Sequence, residues 1–169
     1  MNEHERLIEQ HIPRLRRYAR ALTGEREAAD DLVQDTLERA WAKRHLWRRG
    51  SDLRAWLFTV MHNVFINQVR GRRPGPHVAL DGEAMELPER AVQADRLEIR
   101  DLEAALKLLP GEQREVLLLV ALEELSYQET ADALGIPVGT VMSRLSRARE
   151  RLRRVSSGQP ESAILKVVK

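Results

Sequence analysis

The sequence predicts an all-α protein of two small helical domains joined by a flexible linker, the second ending in a helix-turn-helix. Apolar residues recur at three- and four-residue spacing through most of the chain, which is the period of amphipathic helices. Aromatic residues make up only 4% and β-branched runs are few, which argues against a sheet protein. Proline and glycine interrupt the pattern in residues 74–93, so helix-rich parts lie on either side of a linker.

Composition excludes several classes of protein and site. The chain of 169 residues has 28 basic and 26 acidic residues, so its net charge of +2 says little about partners. It contains no cysteine, which excludes a disulfide framework and a thiolate metal site. No apolar run reaches about 18 residues, and the N-terminal residues are too polar for a signal peptide. We therefore expect a cytosolic protein that does not insert into membranes.

The first domain, residues 1–73, is predicted to contain three helices. The first covers residues 5–22 without a break, because one apolar stripe runs through it. The second covers residues 25–44 and the third residues 53–70. A loop at residues 45–52 separates the last two, and Ser51 or Asp52 is expected to cap the third helix at its N-terminus.

The second helix has a polar face with an unfavourable charge pattern. Its residues lie three and four positions apart and therefore share one side of the helix. They are Asp31, Gln34, Asp35 and Glu38. Like charges at this spacing repel by a few tenths of a kcal/mol, and a basic partner surface would offset that repulsion. A solvated acidic face is the alternative interpretation, and the sequence leaves both open.

The loop and the third helix carry groups suited to single-stranded nucleic acid. An exposed Trp47 beside Arg48 would stack on bases and contact phosphate, whereas a buried Trp47 would only anchor the loop. On the third helix, an indole, two amides and a guanidinium form a row away from the apolar stripe. The amides and the guanidinium could read base edges. The row consists of Trp56, Asn63, Asn67 and Arg70.

The second domain, residues 94–155, is predicted to be a four-helix unit. Its first helix ends at Pro110, and its second, residues 112–124, is rich in leucine and valine and should be buried. Ser126 and Glu129 then form a capping box for a third helix, which Gly135 ends. A tail, residues 156–169, follows and has no assigned function.

The last helix of this unit is basic. A helix pair with so short a turn is typical of the helix-turn-helix, whose second helix enters the DNA major groove. Residues 144–154 contain six arginines against one glutamate, as expected of a helix that faces phosphates. An ordinary amphipathic helix with a solvated basic face is the alternative.

Two motifs give the chain a resemblance to a known family. The first is ADDLVQDT at residues 29–36, continuing to Ala40 and Trp41, with LRAWL at 53–57. The second is LPGEQR at 109–114, followed by SYQE at 126–129 and GTVMSRL at 139–145. In this order and spacing they resemble the extracytoplasmic-function sigma factors of bacterial RNA polymerase, which keep only sigma regions two and four.

The resemblance implies a role for each surface of the first domain, as region two. The face at Asp31, Gln34, Asp35 and Glu38 would dock on the β′ clamp helices of core polymerase, which also offers contacts from its β subunit. The loop and third helix would hold the unwound minus-ten element, with one base flipped at a cost of a few kcal/mol. The implied minus-ten residues are Trp47, Arg48, Trp56, Asn63, Asn67 and Arg70.

The second domain, as region four, would read the minus-thirty-five element. Arg147 is the best candidate for a bidentate guanine contact, worth roughly 1–3 kcal/mol of discrimination. The implied residues are Thr140, Met142, Ser143, Arg144, Ser146, Arg147 and Arg149. The linker would thread the RNA exit path, and an anti-sigma factor would be a further partner. The family has no catalytic residue, metal or cofactor of its own, and it serves transcription initiation and stress responses.

Three other functions compete with this one. An enzyme is disfavoured because the five histidines are scattered and no glycine-rich phosphate loop is present. A stand-alone helix-turn-helix regulator would explain the basic helix but not the acidic face at Asp31 or the row at Trp56. A sigma mimic that titrates an anti-sigma factor would carry degraded DNA contacts and a fused signalling domain, whereas the basic helix here is intact.

Overall fold

The described part of the chain is all helical. The computed structural model describes residues 2–72 and 102–156 and contains no strand in them. The α-helices are α1 (Glu3–Glu9), α2 (Ile12–Thr23), α3 (Arg26–Ala42), α4 (Leu53–Arg72), α5 (102–108), α6 (Gly111–Leu117), α7 (Tyr127–Leu134) and α8 (Val138–Ser156). The all-α prediction is therefore confirmed. The predicted linker, and the predicted tail after residue 156, lie outside the described residues.

Of the helices in residues 2–72 and 102–156, none combines the length and the apolar character needed to cross a bilayer.

The first predicted helix is broken in two, so the prediction of one helix over residues 5–22 was wrong. Pro13 has no N–H to donate to the carbonyl of Glu9, and its ring would clash with that carbonyl in a continuous helix. The chain therefore ends α1 at Glu9 and begins α2 at Ile12, with Pro13 in its first turn. A capping box between Asn2 and Glu5 starts α1.

The N-terminal half, residues 2–72, is a bundle in which α3 packs on both α2 and α4. Its largest fully buried side chains are Leu15, Leu22, Leu32, Leu57, Phe58 and Met61. The Tyr18 and Phe58 rings meet edge to face with centroids 4.9 Å apart, which joins α2 to α4. This packing turns the polar sides of α3 and α4 outward.

The helix-turn-helix forms as the sequence predicts. The Glu129 N–H donates to Ser126 Oγ at 3.0 Å, and the Ser126 N–H donates to Glu129 Oε1 at 2.9 Å. Gly135 ends α7 at φ 66°, a left-handed conformation that glycine adopts without strain. The α8 helix buries Val141, Leu145 and Ala148 and packs on α6.

The helix predicted over residues 112–124 is not regular. After α6 it continues as a π-helix, Leu118–Leu122, closed by a hydrogen bond from the Glu123 N–H to the Leu118 carbonyl at 3.0 Å. A π-turn holds one residue more than an α-turn, so it rotates every following side chain around the axis. As a result Glu123 points inward and is buried. The leucine-rich sequence carries no local signal of this change.

The two halves contact one another, although the sequence predicts two domains joined only by a flexible linker. The α7 helix packs on α4, and α2 packs on α6 and on the π-helix. Buried residues of both halves belong to one hydrophobic cluster. At Gly24 a Cβ atom would lie 2.7 Å from Lys107 Cε, so the end of α2 and the helix α5 approach closely. The described halves therefore share one core.

The capping box of α7 should contribute measurably to stability. We expect Ser126→Ala to lower the free energy of unfolding by about 1 kcal/mol, because an N–H at the start of α7 loses its acceptor. Chemical denaturation followed by circular dichroism measures this. Ser146→Ala is the matched control, since it removes an exposed hydroxyl inside α8 and should cost nothing. Equal effects of the two substitutions would contradict the capping role.

Candidate nucleic-acid interface

The outer face of α8 presents the residues predicted to read bases. Because Val141, Leu145 and Ala148 are buried, the side chains between them point to solvent. The exposed residues are Met142, Ser143, Ser146, Arg147 and Arg149. Met142 is 53% exposed, which is unusual for a large apolar side chain and suits contact with a thymine methyl group.

Two predicted residues at the start of this face are less accessible. Arg144 has only 25% of its side chain exposed, and its Nη2 lies 3.5 Å from Glu112 Oε2 on α6. Thr140 is half-buried, and its carbonyl accepts a hydrogen bond from Ser143 Oγ at 3.1 Å. Arg144 would have to leave Glu112 before it could hold a phosphate.

The single carboxylate of the basic segment is neutralised within α8. Arg154 donates to Glu150 Oε1 at 2.9 Å, and Arg153 pairs with Oε2. The hydrogen bond from Arg154, followed by the charge of Arg153, holds the pKa of Glu150 below its usual value. Glu150 is therefore ionised at neutral pH and paired on its own helix. The remaining arginines keep the outer face positive.

The predicted acidic face lies on α3 and is exposed throughout. Gln34 Nε2 donates to Glu38 Oε1 at 3.4 Å along the helix. Asp35 Oδ2 accepts from Gln68 Nε2 of α4 at 2.5 Å, so Asp35 is held by the neighbouring helix. Asp31 completes the exposed row. Sequence reasoning missed Gln68 because its contact with Asp35 spans 33 positions.

The acidic face of α3 and the polar row of α4 border the same groove. This groove between the two helices measures about 500 Å³ and includes Asp35, Glu38, Asn67 and Gln68 in its lining. Asn63, Asn67 and Arg70 are exposed, whereas Trp56 is partly buried and packs against the core. The residues predicted to bind a protein and those predicted to bind DNA are therefore adjacent.

Trp47 anchors the loop, which is the second of the two interpretations that the sequence leaves open. Its indole is partly buried against the core, and its edge meets the His4 ring at a centroid distance of 6.1 Å. Its Nε1 is buried and has no hydrogen-bond partner among the described residues. Arg48 is exposed, and Arg49 pairs with Glu3 at 2.6 Å. The loop therefore offers Arg48 to a ligand.

Asp52 caps α4 and also meets the other half. Its Oδ1 accepts from the N–H groups of Arg54 at 3.0 Å and Ala55 at 3.3 Å, which confirms it as the N-cap. Burial by itself would raise the pKa of the Asp52 carboxyl. A side-chain hydrogen bond with Glu129 and the hydrogen bond from the Ala55 N–H outweigh burial, so the pKa lies below its usual value. The start of α4 thus lies beside the capping box of α7.

Models of two known protein families match the two halves that carry these surfaces. The model of "Sigma-70, region 4" matches residues 99–152, and the model of the "Sigma2 domain of PhyR" matches residues 8–62. The chain is 43% identical over 141 residues to the ECF RNA polymerase sigma factor EcfG of Rhodopseudomonas palustris, covering 83% of this chain and 78% of that protein. The chain belongs to the extracytoplasmic-function sigma factors. It is a sigma factor with regions two and four.

Solved structures of related proteins agree with the sigma-factor fold. The sigma factor RpoE of Bartonella quintana, in complex with the anti-sigma factor NepR, is 35% identical with a TM-score of 0.76, covering 93% of this chain and 98% of that one. The anti-anti-sigma factor PhyR of the same organism is similar at 22% identity and a TM-score of 0.58, covering 87% of this chain and 49% of that one. At 22% identity, the similarity to PhyR shows only a shared fold.

Proposed function

We propose that this chain is an alternative sigma factor that binds core RNA polymerase, directs it to promoters with minus-ten and minus-thirty-five elements, and assists DNA melting. The observation that carries the proposal is the coexistence of two exposed surfaces on one sigma-factor chain. One is the acidic face of α3 beside the polar row of α4, and the other is the basic outer face of α8. A stand-alone DNA-binding regulator needs only the second surface.

Residues 1–73 act as region two in this proposal, residues 74–93 as the linker and residues 94–155 as region four. The face at Asp31, Gln34, Asp35 and Glu38 docks on the β′ clamp helices, and a basic partner removes the repulsion between its carboxylates. Gln68 orients Asp35 for that contact through its 2.5 Å hydrogen bond. Because the acidic face borders the polar row of α4, polymerase and melted DNA meet at one groove.

The minus-ten element is held by the polar row and the loop. Asn63, Asn67 and Arg70 offer amide and guanidinium groups to base edges and phosphates of the non-template strand. Arg48 adds a phosphate contact, while Trp47 and Trp56 hold the loop and helix in place by packing on the core. Flipping one base costs a few kcal/mol of stacking energy, which contacts at this surface must offset.

The minus-thirty-five element is read by α8 in the major groove. Arg147 contacts a guanine in bidentate fashion, and Met142, Ser143 and Ser146 border neighbouring base edges. Arg149 holds a phosphate, and Thr140 and Arg144 contact the backbone near the start of the helix. The Arg144–Glu112 ion pair at 3.5 Å is exchanged for a phosphate contact when DNA binds.

The chain supplies no catalytic group in this proposal. The polymerase forms the phosphodiester bonds, whereas the sigma factor positions it and traps the melted strand. The arrangement requires no cofactor, and it places the protein with the polymerase and the chromosome in the cytoplasm.

In vitro transcription tests this function. The purified chain is added to sigma-free core polymerase with a promoter library, and the initiated RNAs are sequenced. We expect transcripts whose promoters share two motifs at one fixed spacing. Stable core binding without transcripts would contradict a sigma factor and favour a mimic. Absence of both would favour a stand-alone DNA-binding regulator.

A sigma mimic is the second candidate, and one observation favours it. The model that matches residues 8–62 is named for PhyR, whose solved homologue is an anti-anti-sigma factor. The exposed, intact outer face of α8 argues against this candidate, because a protein that only titrates an anti-sigma factor has no use for base-reading residues. The transcription experiment separates the two.

An anti-sigma factor is a partner in this proposal, and a groove between the halves suits it. The groove measures about 660 Å³ and joins α2 to α5, α6, the π-helix and α8. Its apolar lining includes Leu102, Leu106, Leu117, Leu122 and Leu152, and its cationic lining residues are Arg17, Arg20 and Lys107. Leu102 is 56% exposed there. An amphipathic helix with acidic flanks complements this lining.

Arg20 provides a test of that docking site. We expect Arg20→Glu to weaken binding of the anti-sigma factor roughly tenfold in calorimetry, because a cation at the groove becomes an anion facing acidic residues. Arg16→Glu is the matched control: it is exposed on the same helix and lies outside the groove. Equal weakening by both substitutions would mean that the net charge of α2, not the groove, attracts the partner.

A further inference from the structure

Met142 is an exposed thioether on the outer face of α8. It is 53% exposed, whereas Met61, the other methionine in residues 2–72 and 102–156, is fully buried. The chain contains no cysteine, so methionine is its one sulfur-containing residue type. Within the described part of the chain, sulfur is therefore accessible to solvent at Met142 alone.

The turn of α8 beside Met142 is open. Long helical side chains lean towards the N-terminus, over the residues three and four positions before them. At Met142 these residues are Gly139 and Val138. Gly139 has no side chain, and a Cβ atom added there would have no atom within 4 Å. Val138 is half-buried and packs against the core. A small oxidant can therefore reach the sulfur from this side.

Met142 also supplies the apolar character of the base-reading face. The exposed side chains around it are hydroxyls and guanidinium groups, among them Ser143, Ser146 and Arg147. Ser143 Oγ donates to the Thr140 carbonyl at 3.1 Å, so that hydroxyl proton is already engaged within the helix. In the major groove the matching apolar group is the thymine methyl. A change in the polarity of Met142 would therefore alter this face more than any other change of equal size.

We propose that Met142 is an oxidation site at which peroxides alter the reading of the minus-thirty-five element, an inference that rests on the proposed function of α8. The sulfur lone pair attacks one oxygen of the peroxide and the O–O bond breaks. Sulfur forms an S–O bond and loses two electrons, which reduce the peroxide. The departing hydroxide takes the proton of the transferred oxygen, so the products from hydrogen peroxide are a sulfoxide and water.

The sulfoxide changes which base suits this position. Its oxygen is a strong acceptor, and a thymine methyl group leaves that acceptor unsatisfied. The amino groups of adenine and cytosine can donate to it. We therefore expect the preference for thymine at one base pair to fall roughly tenfold. Because Met142 lies in solvent, the fold is unaffected. Methionine sulfoxide reductases reverse the change, since two thiols supply the electrons and the oxygen leaves as water.

The rate of oxidation tests the site itself. The full chain is treated with limiting hydrogen peroxide, quenched with catalase, digested and analysed by mass spectrometry, while circular dichroism confirms that it stays folded. We expect Met142 to gain oxygen roughly tenfold faster or more than Met61, because susceptibility follows exposure. Equal rates at the two residues in the folded chain would overturn the assignment.

Transcription from the promoter library tests the consequence. The oxidised chain, freed of peroxide, is added to untreated core polymerase. We expect the minus-ten motif to stay the same and the minus-thirty-five motif to change at one base pair. Met142→Gln should show that change without peroxide, because its amide is a polar side chain of similar length. Treatment with the methionine sulfoxide reductases for both sulfoxide epimers should restore the original motif.

Met142→Leu is the matched control, compared with itself before and after peroxide. It retains Met1 and Met85, which lie outside the described residues, so any effect of their oxidation persists in it. Its motif should be the same with and without peroxide. A peroxide-induced change in this variant, or an unchanged motif when Met142 is fully oxidised, would overturn the inference.

Failure of the proposed function looks different from failure of this inference. A chain that yields no transcripts before any peroxide is added lacks the proposed function, and control of promoter reading fails with it. The mass spectra still decide whether Met142 is the preferred oxidation site. Normal transcription with a motif that is insensitive to oxidation of Met142 overturns the inference and leaves the proposed function intact.

Discussion

A chain carrying Gln34→Ala and Asp35→Arg is expected to lose binding to core RNA polymerase and to retain its helical circular dichroism. Both residues are exposed on α3, so their replacement removes no buried contact. The arginine would face a basic partner surface, and a like charge at an interface costs about 2 kcal/mol or more, or ~30-fold in affinity. Fluorescence anisotropy with labelled chain and core polymerase measures the loss.

Glu9→Arg is the control for this substitution. It makes the same change in charge at an exposed position of α1, away from the acidic face. Its binding to core polymerase should remain within about twofold of the unsubstituted chain, since exposed charges at a distance are screened by salt. Asp35→Arg also breaks the hydrogen bond to Gln68, but both side chains lie at the surface and the fold should persist. Transcription that survives the double substitution would show that the acidic face is only a solvated surface.

Arg147→Ala is expected to reduce discrimination at the minus-thirty-five element by about 1–3 kcal/mol, or roughly 5- to 150-fold, without changing core binding. Arg147 is exposed near the middle of the outer face of α8, with Val141, Leu145 and Ala148 buried behind it. The substitution therefore removes a base contact and leaves helix packing intact. Competition between promoters that differ at one base pair measures discrimination.

Arg153→Ala is the control that separates the loss of a base contact from the loss of one positive charge on α8. Arg153 is exposed on the same helix but pairs with Glu150, so its loss should leave discrimination unchanged and only slightly lower affinity for every sequence. If Arg147→Ala weakens all promoters equally and lowers their salt dependence, Arg147 holds a phosphate. If it also weakens core binding to the same extent, the assignment of α8 to promoter DNA is wrong.

Much of the candidate site could be predicted from the sequence because its signals are local. The polar face of α3 follows from three- and four-residue spacing, and the position of α8 follows from Ser126, Glu129 and Gly135. The placement of the predicted site residues on exposed helix faces is observed for most of them. Their contacts with polymerase and DNA remain predictions.

The sequence was least informative where two distant segments meet. Trp47 was open to either interpretation until its packing against the core was known. Arg144 looked like a free phosphate ligand, but Glu112 on α6 pairs with it at 3.5 Å. The break at Pro13 is different, because its cause is local and the apolar stripe through residues 5–22 concealed it.

The sequence by itself determined the helical class, the helix-turn-helix and the family, because apolar periodicity, capping residues and motif order are properties of neighbouring positions. Tertiary structure alone decided that the halves share a core, that a π-helix turns Glu123 inward, and that Arg17 meets it across 106 positions. The apolar spacing and the capping residues of each segment would be the same with or without these contacts. A buried charge and its partner therefore become visible only when the chain is folded.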